Sequence, residues 1–320
     1  MRRALTLAAL VLGACAPGPE DARGAAIAAE APPATSPAPA PANVPVFEAD
    51  SAFALLRTQV DFGPRVPGTP GHARQLAWMT ALLRTYADTV HEQSFTHSAK
   101  DGKSLRLTNL LARFAPGQQR RILLLAHWDT RPTADQEQDE DRRTRPVPGA
   151  NDGASGVAVL LQLARVLSER APPVGVDLLF TDGEDYGPGD MYLGATYFAA
   201  NAGAYRPMYG ILLDMVADED PLFPVEGNSR DLAPEVVQRV WGLADEIGLG
   251  MMFPTRTGTW VSDDHLPLNR AGIRTINIID FDYGPSNGYW HTLSDDIENV
   301  SPRGLGIVGR LMVELIYRGG

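Results

Sequence analysis

Cysteine is almost missing from this chain: one residue in 320. A single thiol excludes an intrachain disulfide framework, a cysteine-rich zinc module and a Cys-x-x-Cys redox site. It leaves open a thiol nucleophile, which its position must decide. Excess positive charge is missing too. Lys and Arg number 28 against 39 Asp and Glu, a formal balance of −11. Nucleic acid demands a basic face, so it is excluded as a partner. No apolar run reaches the roughly 20 residues that span a bilayer, and no internal repeat is visible. What the chain does have is 44% hydrophobic and 21% charged residues, the balance of a folded protein rather than a disordered one.

The cysteine is Cys15, at the end of MRRALTLAALVLGAC. Arg2 and Arg3 form a basic start, and Ala4 to Leu12 a short apolar stretch. Leu12-Gly13-Ala14-Cys15 resembles the lipobox of bacterial lipoproteins, where cleavage before the cysteine leaves its thiol to take a diacylglycerol. An ordinary signal peptide with an incidental cysteine, or an N-terminal apolar helix, are the plainer alternatives. The following stretch, with APPATSPAPAPANVP, holds too little apolar surface to order itself and reads as a semi-extended tether. The expected organisation is a leader at 1–14, a lipidated cysteine and tether at 15–46, and one folded domain at 47–320. Such a chain would be exported and lipid-anchored to a bacterial envelope, at the periplasmic face or the outer membrane. A thiol outside the folded domain is no nucleophile.

Within the domain, short apolar runs alternate with amphipathic segments. Ile122–Leu125, Val176–Phe180, Gly210–Leu213 and Thr275–Ile279 are strand candidates. Helices are expected over Ala52–Tyr86 with a break near Pro64 to Gly71, then Val157–Arg170, Tyr197–Ala202, Pro234–Ile247 and Leu305–Tyr317. Continuous apolar runs of four to five residues suit parallel strands buried on both faces. Ligand sites in such sheets lie beyond the carboxyl ends of the strands.

Polar clusters stand at those ends and in nearby loops. His127-Trp128-Asp129-Thr130 follows the first strand, and Thr181-Asp182-Gly183-Glu184-Asp185 the second. Asp214 follows the third. Gly149 to Gly156 (GANDGASG) precedes a helix, and SDDH (262–265) and WHT (290–292) come later. Imidazole and carboxylate donors without thiolates fit zinc best. Each piece alone is weak, because an aspartate after a strand is more often a cap or turn residue. His265 reads as structural or as a support behind the ligands, and His72, His91 and His97 stand outside any cluster.

In their order and spacing, HWDT, GANDGASG, DGED, LLDM, SDDH and WHT resemble the zinc-dependent aminopeptidases of family M28. Within them the chain is similar to the bacterial branch of the animal-type glutaminyl cyclases, especially over residues 127–152 and in EDYG and DIENVSP. The resemblance implies a single three-layer α/β/α domain with a mixed, largely parallel central sheet. It implies Asp152, Asp185 and His291 as ligands of one catalytic Zn2+ per chain, with Glu184 as general base. Trp290 would wall a pocket for a glutamine side chain, and Asp263 would share a proton network with Asp214. The substrates implied are peptides or proteins with an N-terminal glutamine, and a monomer is expected. Aminopeptidases of this family use two metals instead; Asp152 would then bridge, with His127 and Asp214 completing the second site. Three departures from the animal enzymes stand out. One cysteine cannot form their disulfide, Asn277 replaces a histidine of the proton network, and Met191-Tyr192 fills a segment where relatives present a further tryptophan. The charged stretch Thr133–Pro148 reads as an exposed flap near the site.

Overall fold

The computed structural model describes residues 44–320. The leader, Cys15 and most of the tether lie outside the described residues. Among those described, no helix is long and apolar enough to cross a membrane.

Two helices open the domain, α1 (Ala49–Asp61) and α2 (Pro70–Tyr86). The break between them falls in the expected Pro/Gly segment. There Thr69 accepts the His72 N–H and Pro70 occupies the first turn, where its missing donor costs nothing. A hairpin follows, β1 (Thr89–Ser98) and β2 (Ser104–Phe114), then β3 (Arg121–His127). After a short α3 (Glu140–Arg143) come α4 (Ala154–Glu169), β4 (Gly175–Thr181), α5 (Leu193–Ala200) and β5 (Gly210–Asp214). The rest is α6 (Gly227–Leu232), α7 (Pro234–Glu246), α8 (His265–Arg270), β6 (Thr275–Ile279) and α9 (Pro302–Tyr317).

The six strands form one sheet in the order β1-β2-β4-β3-β5-β6. β4, β3, β5 and β6 are mutually parallel, while β1 and β2 run antiparallel. The mixed, largely parallel sheet is as expected. Alternation along β3 shows the layers: Ile122, Leu124 and Ala126 face the core shared with α1, α2, α4, α7 and α9, while Leu123 and Leu125 face α5 and α8. Every residue of β3, β4, β5 and β6 is buried, which is why these strands read as continuous apolar runs. Helix α4 lies against β3 and β5 on one side and α1 and α9 on the other, so its apolar surface is not confined to one stripe. A Cβ at Gly156 would fall inside contact distance of the Leu213 carbonyl oxygen, and this close approach seats α4 directly on the sheet.

Some details differ from expectation. The β1–β2 hairpin was not foreseen, because β1 (TVHEQSFTHS) is a half-solvated edge strand with no apolar run. Helix α5 begins at Leu193, earlier than expected, behind Tyr192 in the left-handed region (φ 59°). Val44, within the expected tether, packs against the core together with Phe47.

Candidate metal centre

Strands β3, β4 and β5 deliver their last residues to one edge of the sheet, with His127 in register with Thr181. His127 ends β3, Asp214 ends β5, and the turn after β4 carries Glu184 and Asp185. The loop before α4 folds across them. A Cβ at Gly153 would lie 2.5 Å from Cε1 of His127, so the Asp152–Gly153 turn packs on that imidazole only because residue 153 has no side chain.

Two fully buried aspartates fix the backbone of these loops. Asp129 accepts the N–H groups of Glu184 and Asp185 at 3.0 and 3.2 Å. Asp295 accepts those of Asn151 and Asp152 at 2.7 and 3.2 Å, and the Tyr283 hydroxyl at 3.1 Å.

The side chains then converge. Oδ2 of Asp152 and Oδ2 of Asp185 each stand 3.6 Å from Nε2 of His291. The other Asp152 oxygen, Oδ1, is 3.0 Å from Nε2 of His127, which is itself 3.3 Å from Oδ1 of Asp214. Asp152, Asp185 and His291 therefore form one potential ligand set, and His127, Asp152 and Asp214 another. Donors on a tetrahedral zinc at about 2.0–2.1 Å stand roughly 3.4 Å apart, so in the first set the two contacts made by His291 are close to the spacing of a coordination shell. Its chemistry also fits. Burial, then the charge of Asp152, pushes the Asp185 carboxyl up to about 7, and a dication would remove that penalty by favouring the ionised form.

Beside the ligands lies a third acidic group, Glu184, Asp263 and Asp264. Burial, then the charge of Asp263, raises the Glu184 carboxyl well above its ordinary value. Asp263 is pushed up to about 7 by burial and by Asp214, and Asp264 to about 8 by burial and by Asp263. Asn277 donates to Asp263 and Thr181 to Asp264. Burial alone would lower the His127 imidazole, but hydrogen bonds to Asp129, Asp152 and Asp214 raise it well above the usual range.

Asp152, Glu184, Asp185, Asp214, Asp263 and His291 line a cavity of about 350 Å³. Trp290 stacks on the imidazole of His291, with ring centroids 3.8 Å apart, and meets Phe281 edge-on at 5.1 Å. Every residue expected in the site is brought together here.

Sequence reasoning missed Asp129, Asp295, Arg131, Asp135 and Trp260. The first four act by holding other residues, which leaves no spacing signature. Trp260 lines the same cavity from an irregular loop, packs against Gly227 and stays 54% exposed. Met191 and Tyr192 line it too. Thus the wall has a second tryptophan, supplied by a different segment from the expected one. His265 is structural as read, buried 3.3 Å from Glu226.

The model of peptidase family M28 matches residues 109–316. This chain belongs to that family. Among solved M28-like structures, a glutaminyl cyclase of Bacteroides thetaiotaomicron bound to N-acetylhistamine is 40% identical with a TM-score of 0.82. The match covers 86% of this chain and 99% of that one. A leucine aminopeptidase precursor from the same organism is 40% identical with a TM-score of 0.83, covering 86% and 98%. A glutaminyl-peptide cyclotransferase-like protein of Bos taurus is 27% identical over 279 residues, covering 78% of this chain and 70% of that one. The M28 family is zinc-dependent, and the donors described above are this chain's candidate ligands.

Proposed function

We propose that this chain is a glutaminyl-peptide cyclotransferase, closing the N-terminal glutamine of peptides and proteins into pyroglutamate with release of ammonia. The observation that carries this reading is the aromatic-walled cavity above the Glu184–Asp263 acid pair, with Trp290 stacked directly on His291. The solved structures described as glutaminyl cyclases support it.

In this reading Asp152, Asp185 and His291 hold one zinc. When bound, zinc supplies a Lewis acid for the γ-carboxamide oxygen. Trp290 and Trp260 flank the glutamine side chain and exclude water. Glu184 takes a proton from the α-ammonium group, whose nitrogen attacks the γ-carbonyl carbon. As the bond to the amide nitrogen breaks, Glu184 returns that proton and then relays the second proton the α-nitrogen must shed, so the lactam keeps one N–H and the departing nitrogen leaves as ammonium. A raised carboxyl pKa suits a group that must both take and give a proton near neutrality. Asp263 and Asp214 receive the α-nitrogen's remaining N–H. Because the nucleophile belongs to the substrate, orientation alone can contribute roughly 7–11 kcal/mol to lowering the barrier.

A second reading, a dinuclear aminopeptidase, is favoured by one observation: the two oxygens of Asp152 face two imidazoles. His127 stands at a comparable donor spacing from Asp152 and Asp214, so a metal count separates the two readings. The purified protein is tested with Gln-AMC, coupled through a pyroglutamyl peptidase, and with Leu-AMC. Coupled signal from Gln-AMC and about one zinc per chain are expected. Direct release from Leu-AMC without signal from Gln-AMC, together with two tight zincs, replaces the cyclase with the peptidase.

The chain is further proposed to act as a monomer held at a bacterial envelope by lipid on Cys15, on the strength of its leader sequence. Cys15→Ser should move the protein from the membrane to the soluble fraction; an unchanged distribution defeats the anchor.

A further inference from the structure

We infer that Arg131 and Asp135 form a clamp that holds Asp185 and His291 in their ligating posture, making the flap at 133–148 part of the metal site. The inference rests on the ligand assignment in the proposed function, but not on which reaction the site runs.

Arg131 follows directly on the HWDT turn and is buried. Its Nη1 donates to Oδ1 of Asp185, the oxygen left over when Oδ2 faces His291. The rest of the guanidinium grips Asp135 with two bonds: Nε to Oδ1 at 3.0 Å and Nη2 to Oδ2 at 2.8 Å. A forked guanidinium matches a carboxylate in this way and fixes its plane. Oδ1 of Asp135 then stands 3.3 Å from Nδ1 of His291. One Arg–Asp pair therefore reaches, on each of two candidate ligands, the atom left free when the two face each other.

The two residues after Asp135 tighten the same turn. The Gln136 N–H donates to the His291 carbonyl at 3.3 Å, and Oε1 of Glu137 accepts the Leu293 N–H at 3.0 Å. His291 needs such support because its backbone lies in the left-handed region (φ 55°), which is strained for a non-glycine residue. A carboxylate on the far nitrogen of a ligating histidine fixes ring orientation and tautomer, and its loss typically weakens metal binding about 10–100-fold.

The test is zinc retention by the holoenzyme, followed by transfer to a chromogenic chelator, with the d–d spectrum of the cobalt-substituted protein as a second readout. Asp135→Ala should hold zinc about 10–100-fold more weakly and shift the cobalt bands. Asp135→Asn keeps an acceptor towards His291 but loses the charge towards Arg131, and should fall between Asp135→Ala and the native protein. Glu140→Ala, at an exposed position of the same flap whose side chain bonds neither Arg131, Asp135 nor Glu137, should match the native protein. If Asp135→Ala folds poorly, Asp135→Asn decides. Zinc held by these variants as tightly as by the native protein, with unaltered cobalt bands, overturns the clamp alone. A native protein that binds no zinc overturns the ligand assignment, and the clamp falls with it.

Discussion

Asn277 donates a 2.7 Å hydrogen bond from Nδ2 to Oδ2 of Asp263, and both residues are buried. An amide can orient the carboxylate but cannot exchange a proton with it, so Asp263 titrates against its acidic neighbours. Removing a donor to the ionised form disfavours that form. Asn277→Ala should therefore push the Asp263 carboxyl above its value of about 7 and move the acid limb of the kcat/KM profile to higher pH. An acid limb that stays in place means that Asp263 is not needed in its charged form.

Glu184→Gln keeps the shape of the side chain and removes its ability to accept a proton. Turnover should fall about 100- to 10,000-fold with zinc content unchanged, as measured by kinetics and elemental analysis. Loss of zinc in this variant would mean that base and ligand have been exchanged in the assignment.

Trp260 is an immobilised aromatic at the mouth of the cavity. Its indole N–H donates to Asp231 at 3.3 Å, and the Arg230 guanidinium lies 5.1 Å from its ring. An aromatic contact contributes about 0.5–1.5 kcal/mol beyond area burial. Trp260→Ala should raise KM for a glutaminyl peptide roughly 2- to 12-fold by that figure, with little change in kcat. A fall in kcat alone would place Trp260 among groups that act only at the transition state.

Gly156→Ala tests the seating of α4 on the sheet. The new methyl meets backbone at Leu213, not a movable side chain, and overpacking of this kind costs about 1–3 kcal/mol. Urea unfolding should show the loss as a lower midpoint. An unchanged midpoint would show that α4 can slide to admit the methyl.

Asp280 carries a pH prediction outside the ligand set. Burial pushes its carboxyl up to about 7, even though the Leu222 N–H donates to it at 2.8 Å. The unfolded chain ionises near 4, so this group's contribution is fully present below that pH. It is lost as pH rises towards 7, by up to about 4 kcal/mol for three units. Asp280→Asn should flatten the dependence of thermal midpoint on pH between 4 and 7. A slope identical to the native protein's removes Asp280 as a cause.

What could be read from the chain follows from what repeats along it. Strands β3 to β6 in the parallel block are buried on both faces, so each announces itself as an apolar run, and the acids that follow mark one edge of the sheet. Expected ligands and base were found together for that reason. β1 gave no such signal, since an edge strand exposed along much of its length carries His, Glu, Gln and Ser. Arg131, Asp135 and Asp295 were not legible because each acts through contact with a residue far away in the chain. As local sequence, Asp135 belongs to a charged flap and Asp295 to an ordinary turn. Only folding shows one reaching His291 and the other holding the Asp152 loop.

Asp152, Asp185 and His291 come from three loops that the unfolded chain keeps far apart. A cation shared among them is a removable crosslink: it ties the front of α4, the β4 turn and the segment before α9 into closed circuits. The chain entropy given up in closing those circuits is regained only when the ion leaves. Chelation should therefore do more than silence the site, because it lets three remote segments move independently.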